Sequence, residues 1–141
     1  MTGISNSSTY QPILLSHQTN LSTLISSSNI FYNIGSPISI PKNGIIKISI
    51  VGYVSSGTGY IGLNLIRGSL TYSATQSTTS LLNTYGYSGI QNNVSLLSSN
   101  IYAIFLIEIP VLANDSIQIV VTNNTANTSV FINDMVVILQ W

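Results

Sequence analysis

Short apolar segments, separated by clusters of Gly, Pro, Asn and Ser, follow one another from Phe31 to the last residue. The clearest is Gly44–Val54, where Ile46, Ile48, Ile50 and Val54 fall on one face and Lys47, Ser49 and Tyr53 fall mostly on the other. Such alternation predicts a β-strand with one face buried in a core. Nowhere does the chain carry the apolar period of a helix of ordinary length, so we expect an all-β protein.

Five further segments are predicted to be strands. Tyr60–Arg67 follows Gly44–Val54 after a Ser- and Gly-rich loop, and we expect the two to pair as a hairpin. In Asn100–Ile109 both alternating sets are apolar, which indicates a central strand buried on both faces. The other three are Val94–Leu97, Ser116–Thr122 and Ser129–Trp141. Further residues predicted to face the core are Val54, Ile61, Leu63, Leu65, Ile117, Ile119 and Val121.

The succession of these strands, with turn residues between them and no crossover helices, predicts an antiparallel two-sheet sandwich. We expect a single jelly roll of about eight strands, with a closed barrel as the alternative. Residues 1–30 show no regular period beyond two short apolar pieces, so we expect them to form an N-terminal arm or a first strand. Residues 31–141 are expected to form the jelly-roll domain.

Composition excludes several functional classes. Of the 141 residues 45% are apolar and only 4% are charged, so 23 Ser, 13 Thr and 15 Asn must supply much of the surface. Three basic residues against three acidic ones predict neither nucleic-acid binding nor attraction to an anionic membrane. The longest apolar stretch, Ile101–Ile109, is too short for a transmembrane helix. The absence of cysteine excludes disulfides and thiolate chemistry.

A surface of hydroxyl and amide groups keeps its charge when the pH falls through about 4, where carboxylates are neutralised. We therefore hypothesise that the protein works outside the cytoplasm, including in acidic settings. Low net charge also removes repulsion between copies, so the same composition favours self-association.

Few residues could carry catalysis. The only histidine, His17, is far in sequence from Asp115 and Asp134, so a Ser-His-Asp triad would require the N-terminal arm to fold over the sandwich. The three carboxylates, which include Glu108, are scattered, and this argues against a paired acid and base. We therefore predict that the protein is not an enzyme and has no cofactor.

Asp115 and Asp134 have structural interpretations instead. Asp115 lies in an Asn-Asp-Ser turn, where its side chain is expected to bind nearby backbone amides. Asn133 and Asp134 interrupt the final apolar strand, which predicts a bulge or an outward position. A calcium site at either aspartate is the alternative, although our prediction is that no metal binds.

Several residues are candidates for contacts with other molecules. Tyr85 and Tyr87 flank a glycine in a Gly- and Tyr-rich loop and are candidates for a subunit interface or a sugar site. Trp141 is interpreted either as a plug of the core or as an interface anchor. Asn123 and Asn127 lie in glycosylation sequons of a polar loop and are the candidate glycan acceptors.

Two segments resemble the compact jelly rolls of the C1q and tumour-necrosis-factor type. Ile40–Ile48 is similar to their entry of a turn, a glycine and an alternating strand. Val111–Ile119 resembles their later turn and strand, with Asn114 where the family has glycine. Asparagine also adopts the left-handed conformation that such a turn uses. The resemblance covers residues 38–141 and implies assembly of several copies.

The composition resembles that of extracellular and virion proteins from thermoacidophilic archaea and their viruses. Single jelly rolls of this size serve as viral capsid and vertex subunits, so the resemblance implies a structural subunit of a virion or another extracellular assembly. Its expected partners are copies of itself and another coat protein, without direct contact to nucleic acid. The alternative is a fibre or pilus module that binds a glycan or a host receptor.

Overall fold

The computed structural model describes residues 12–72, 94–96 and 103–141, with the backbone alone described at 94–96 and 103–107. Within these ranges the chain forms ten strands joined by turns and loops. They are β1 (Ile13–Ile25), β2 (Tyr32–Asn33), β3 (Ile38–Ser39), β4 (Gly44–Val54), β5 (Gly59–Arg67), β6 (Leu70–Tyr72), β7 (Val94–Leu96), β8 (Ala103–Val111), β9 (Ser116–Asn123) and β10 (Thr128–Gln140). The described ranges contain no helix long and apolar enough to cross a membrane.

The strands form two antiparallel sheets. The four-stranded sheet has the order β1-β10-β4-β8, and the six-stranded sheet has the order β2-β9-β5-β6, with β3 also on β9 and β7 also on β5. β2 and β3 share one side of β9, and β6 and β7 share one side of β5, so each sheet has four strand positions. Eight positions in two facing sheets make a jelly roll, which confirms the predicted fold.

The core lies between the two sheets and consists almost entirely of Ile, Val and Leu. β4 begins and ends at the predicted residues, Gly44 and Val54. The side chains predicted to face the core from β4, β5 and β9 are all 1% exposed or less. Alternation in the sequence therefore identified the buried faces of these three strands correctly.

The predicted hairpin of β4 with β5 is wrong. β4 pairs with β10 and β8, whereas β5 pairs with β9, β6 and β7. The loop between β4 and β5 carries the chain from one sheet to the other, and Gly57 makes its turn at φ +71°. Alternation specifies which face of a strand is buried but not which strand lies beside it, and this is why the pairing was misassigned.

Residues 13–25 form one long edge strand, β1, which pairs with β10 from Ile13 opposite Leu139 to Ile25 opposite Thr128. Its inward positions include Ser16 and Gln18, so the sequence shows no continuous alternation there. Backbone pairing with β10 runs along the whole strand, and Leu15, Leu21 and Ile25 pack against the core.

β10 contains the bulge predicted at Asn133 and Asp134. Its register against β4 shifts between Ile132 and Asp134, which leaves Asn133 as the extra residue. Beyond the bulge, Asp134 points away from the core and Met135 is buried. The bulge therefore resets the alternation so that β10 has one inward apolar row along its whole length.

Candidate functional site

Every charged side chain of the protein lies in the described ranges and has a partner. The contacts are Arg67–Asp115 at 2.8 Å, Lys47–Glu108 at 3.4 Å, His17–Asp134 at 2.6 Å, and Lys42 Nζ at 4.5 Å from the centroid of the Trp141 ring. The chain has three basic and three acidic residues in total, so no charged group stands alone on the surface. No three of its His, Asp and Glu side chains within the described ranges gather into a metal-binding group.

Asp115 joins two parts of the six-stranded sheet through a partly buried salt bridge. Its carboxylate is 1% exposed and accepts two hydrogen bonds from Arg67, Nε to Oδ1 at 3.0 Å and Nη2 to Oδ2 at 2.8 Å. The backbone N–H of Leu112 also donates to Oδ2 at 2.8 Å, and Asn114 makes the turn at φ +72°. The predicted contact with a backbone amide is confirmed. Because both oxygens are engaged and buried, the calcium alternative at Asp115 is not supported.

His17 and Asp134 come together although they are 117 residues apart in sequence. Pairing of β1 with β10 places His17 Nε2 2.6 Å from Asp134 Oδ1, with each side chain about half exposed. The first strand therefore folds onto the sandwich in the way that a triad would have required. Among the described residues, however, no serine hydroxyl bonds to His17, so the pair stands as a surface contact between two strands.

Trp141 lines a pocket at one end of the sandwich. The pocket has a volume of about 320 Å³ and is lined by Gly44, Ile45, Gln140 and Trp141. A side chain at residue 44 would collide with the backbone oxygen of Gln140, so the glycine allows β4 and β10 to approach closely there. The Trp141 ring packs on the edge of the core, carries Lys42 on one face and contributes to the pocket wall.

The side of the four-stranded sheet that points away from the core, which we call the outer face, carries apolar and polar side chains in similar numbers. Its polar members with described side chains are His17, Thr19, Ser22, Lys47, Ser49, Glu108, Ser129, Asp134 and Gln140. Its apolar members with described side chains are Leu14, Leu24, Ile45, Val51, Tyr53, Phe131, Val136 and Ile138. Leu14 is 61% exposed and Leu24 57% exposed. The rings of Tyr53 and Phe131 stack with centroids 4.8 Å apart and planes 17° from parallel. Apolar side chains therefore occur on both faces of this sheet, and on the outer face they alternate with polar ones.

The six-stranded sheet differs from it. On β9, Val120 and Thr122 alternate with the core residues Ile119 and Val121 and therefore point away from the core, yet they are 1% and 0% exposed. The centre of that sheet is covered on both sides, whereas the outer face of the four-stranded sheet is open to solvent.

The predicted contact residues are distributed over separate regions. Tyr85 and Tyr87 lie outside the described residues. Asn123 is fully buried, with Nδ2 donating to the Ser56 carbonyl at 2.8 Å and Oδ1 accepting from the Thr125 N–H at 2.9 Å. Asn127 is exposed at a left-handed turn with φ +58°. Of the two candidate glycan acceptors, only Asn127 presents its side chain to solvent.

Sequence reasoning missed the outer face as a candidate surface. One signal for it was present, because Met135–Leu139 is an unbroken apolar run in β10. A strand with one solvated face needs only alternate apolar residues, so such a run indicates that the second face is apolar too.

No protein-family profile and no curated protein sequence matches this chain. Among solved structures, it is similar to the CBM22-1 xylan-binding domain of Paenibacillus barcinonensis Xyn10C, with a TM-score of 0.55 at 10% identity over 94% of this chain and 84% of that one. The Eiger TNF of S. frugiperda gives a TM-score of 0.48 at 10% identity, covering 94% of this chain and 92% of that one. TmCBM61, solved with β-1,4-galactotriose, gives 0.48 at 12% identity, covering 94% and 83%. The likeness to the xylan-binding domain shows that the chain has the fold of a jelly-roll β-sandwich.

Proposed function

We propose that this protein is a non-enzymatic structural subunit of an extracellular assembly and that it associates with copies of itself. The observation that carries the proposal is the internal pairing of all its charged side chains at zero net charge. Proteins with a net charge near zero lack the mutual repulsion that keeps molecules apart, so this surface favours association.

The scarcity of ionisable side chains supports an extracellular setting. The chain has one histidine and three side-chain carboxylates, and Asp115 among them is buried beside Arg67. The remaining surface is hydroxyl, amide and apolar, and its hydration does not depend on pH. In its specific form the proposal is a virion coat or vertex subunit, such as those of viruses of thermoacidophilic archaea.

Direct packaging of nucleic acid is not part of the proposed role. The main electrostatic contribution to nucleic-acid affinity comes from Lys and Arg side chains that neutralise phosphates, and here Lys47 and Arg67 hold carboxylates while Lys42 lies on an indole ring. A coat built from this subunit would need another protein next to the genome. A salt-sensitive shift of DNA in a gel would contradict this part of the proposal.

The experiment that tests the proposal is the absolute mass of the full chain in solution, by light scattering at about pH 3 and about pH 7. We expect a closed oligomer of the same stoichiometry at both values. A monomer under both conditions, over a wide range of protein concentration, would overturn the structural role.

The Trp141 pocket favours a second candidate function, the binding of a glycan. A partly buried aromatic ring with one amide and one ammonium group beside it fits the usual lining of a ligand pocket, which is apolar with a few orienting polar groups. Loss of glycan-array binding in Trp141→Ala, with binding retained in Leu112→Ala, would support this function. Leu112 is a suitable control because it is 45% exposed and is not part of the pocket lining.

A further inference from the structure

We infer that the outer face of the four-stranded sheet is the surface on which a second copy of this chain docks, sheet face against sheet face. The inference rests on the proposed function, since it locates the contact through which copies associate. It commits to one occupant, another molecule of this protein.

Solvent exposure and residue type are the first support. A sheet face left in water ordinarily carries polar residues. Here β1, β10 and β4 also present Leu, Ile, Val, Tyr and Phe side chains to solvent, between polar ones such as His17, Ser22 and Ser49. Leu14, Leu24 and Ile45 are 61%, 57% and 46% exposed. Stacked Tyr53 and Phe131 belong to the aromatic types enriched at the centre of protein interfaces.

The size of the face is the second support. β1 and β10 each have 13 residues and β4 has 11, so with β8 they form a surface of about 700 Å², given the usual strand rise and spacing. A stable interface of standard size buries about 800 Å² on each partner. One whole sheet face therefore supplies nearly all the area that a stable dimer needs, and two sheets pack face to face about 10 Å apart.

The charge of the outer face restricts the chemistry of a partner that could bind it. The ionisable groups on the outer face form two pairs, His17 with Asp134 near one edge and Lys47 with Glu108 near the other. Such a face offers no net charge to a nucleic acid, an anionic membrane or a strongly charged protein. It matches a surface that is equally apolar and internally paired, and the same face of a second copy has this character. A twofold arrangement brings the face against itself, which is how most homodimers are built.

The test is sedimentation velocity of the full chain and of two charge variants. Val136→Glu places a carboxylate near the centre of the outer face, between His17 on β1 and Ser49 on β4. Leu70→Glu makes the same kind of change at an exposed apolar residue of the other sheet. We expect Val136→Glu to raise the dissociation constant by about a hundredfold or more, because twofold packing brings two like charges together. Leu70→Glu should leave it unchanged.

A second measurement covers the case in which Val136→Glu does not fold. The protein has no cysteine, so Ser49→Cys would provide a single thiol on the outer face, and Thr71→Cys an exposed thiol on the other sheet. A short bismaleimide should join two copies through Cys at position 49 and not at position 71. Equal or absent cross-linking at position 49 would overturn the inference.

The outcomes separate the inference from the proposed function. An oligomer that survives a folded Val136→Glu places the contact elsewhere, which overturns the inference and leaves the structural role standing. A wild-type monomer overturns both. An oligomer that dissociates in Val136→Glu and persists in Leu70→Glu supports both.

Discussion

The guanidinium of Arg67 binds the carboxylate of Asp115 through two parallel hydrogen bonds, one to each oxygen. Arg67 is the last residue of β5, and Asp115 immediately precedes β9. The pair therefore locks the end of one strand of the six-stranded sheet to the turn that starts its neighbour. Asp115 is 1% exposed, so its carboxylate is shielded from water, and its hydrogen-bond donors among the described residues are Arg67 and the backbone N–H of Leu112.

We expect Arg67→Ala to lower the free energy of unfolding by about 3 kcal/mol, because a buried carboxylate loses its counter-ion. Lys47→Ala removes a pair whose side chains are about half exposed and should cost less than about 1 kcal/mol. Urea unfolding of both variants measures the difference. Similar losses in the two would show that the Asp115 carboxylate is hydrated without Arg67.

Gly57, in the loop between the sheets, and Gly68, in the turn between β5 and β6, form a matched pair. Both have positive φ, +71° and +60°. A methyl group added at Gly57 meets Thr125 Oγ1 at 2.7 Å and Asn124 Oδ1 at 3.0 Å, whereas one added at Gly68 meets nothing within 4 Å. Gly68→Ala should therefore cost only the left-handed backbone penalty, about 1–2 kcal/mol. Gly57→Ala should cost clearly more, as measured by thermal unfolding, and equal losses would contradict the steric argument.

The side-chain amide of Gln18 binds the backbone of Ser36 in the way that a neighbouring strand would. Its Oε1 accepts from the Ser36 N–H at 2.8 Å, and its Nε2 donates to the Ser36 carbonyl at 3.3 Å. Nε2 also donates to Ser16 Oγ at 2.9 Å. We expect Gln18→Met, which keeps the length and loses all three bonds, to lower the free energy of unfolding by about 1–2 kcal/mol. Backbone amides of β1 should exchange faster in hydrogen-exchange mass spectrometry.

Thr19→Ala is the control for Gln18→Met, because Thr19 is the exposed neighbour on the same strand. Unchanged exchange of β1 in Gln18→Met would mean that pairing with β10 alone holds the strand.

Exposure distinguishes the two sequons of the loop between β9 and β10. Expressed in a host with N-glycosylation, the protein should carry a glycan at Asn127 and none at Asn123, since the Asn123 amide is buried and bonded at both ends. Peptide mapping by mass spectrometry reads the occupancy of each site. A glycan at Asn123 would show that modification precedes closure of this loop.

The strands could be predicted from the sequence wherever burial of side chains determines the structure. The inner face of β4 is predictable because every second residue of the strand must enter the core, and these residues are Ile46, Ile48 and Ile50. β1 was harder to recognise, since polar residues such as Gln18 occupy inward positions and the strand is held by backbone pairing and side-chain amides. Such bonds leave no periodic signal.

The side-chain contacts at the candidate surfaces were harder to predict from the sequence. Arg67 and Asp115 are 48 residues apart, and His17 and Asp134 are 117 apart. Their proximity depends on which strands lie side by side, and a sequence pattern for single strands does not contain this information. The apolar run of β10 did contain a signal for the outer face, because it exceeds what one buried face requires.

The position of β10 has a consequence for biosynthesis. β10 is last in sequence but lies between β1 and β4, and among the described pairings only β5 with β6 joins strands that are neighbours in sequence. On the ribosome, β1 and β4 emerge on the order of ten seconds before their shared partner is translated. Until then their edges are open to other nascent chains, so we expect folding to be slow and dependent on chaperones that shield unpaired strands.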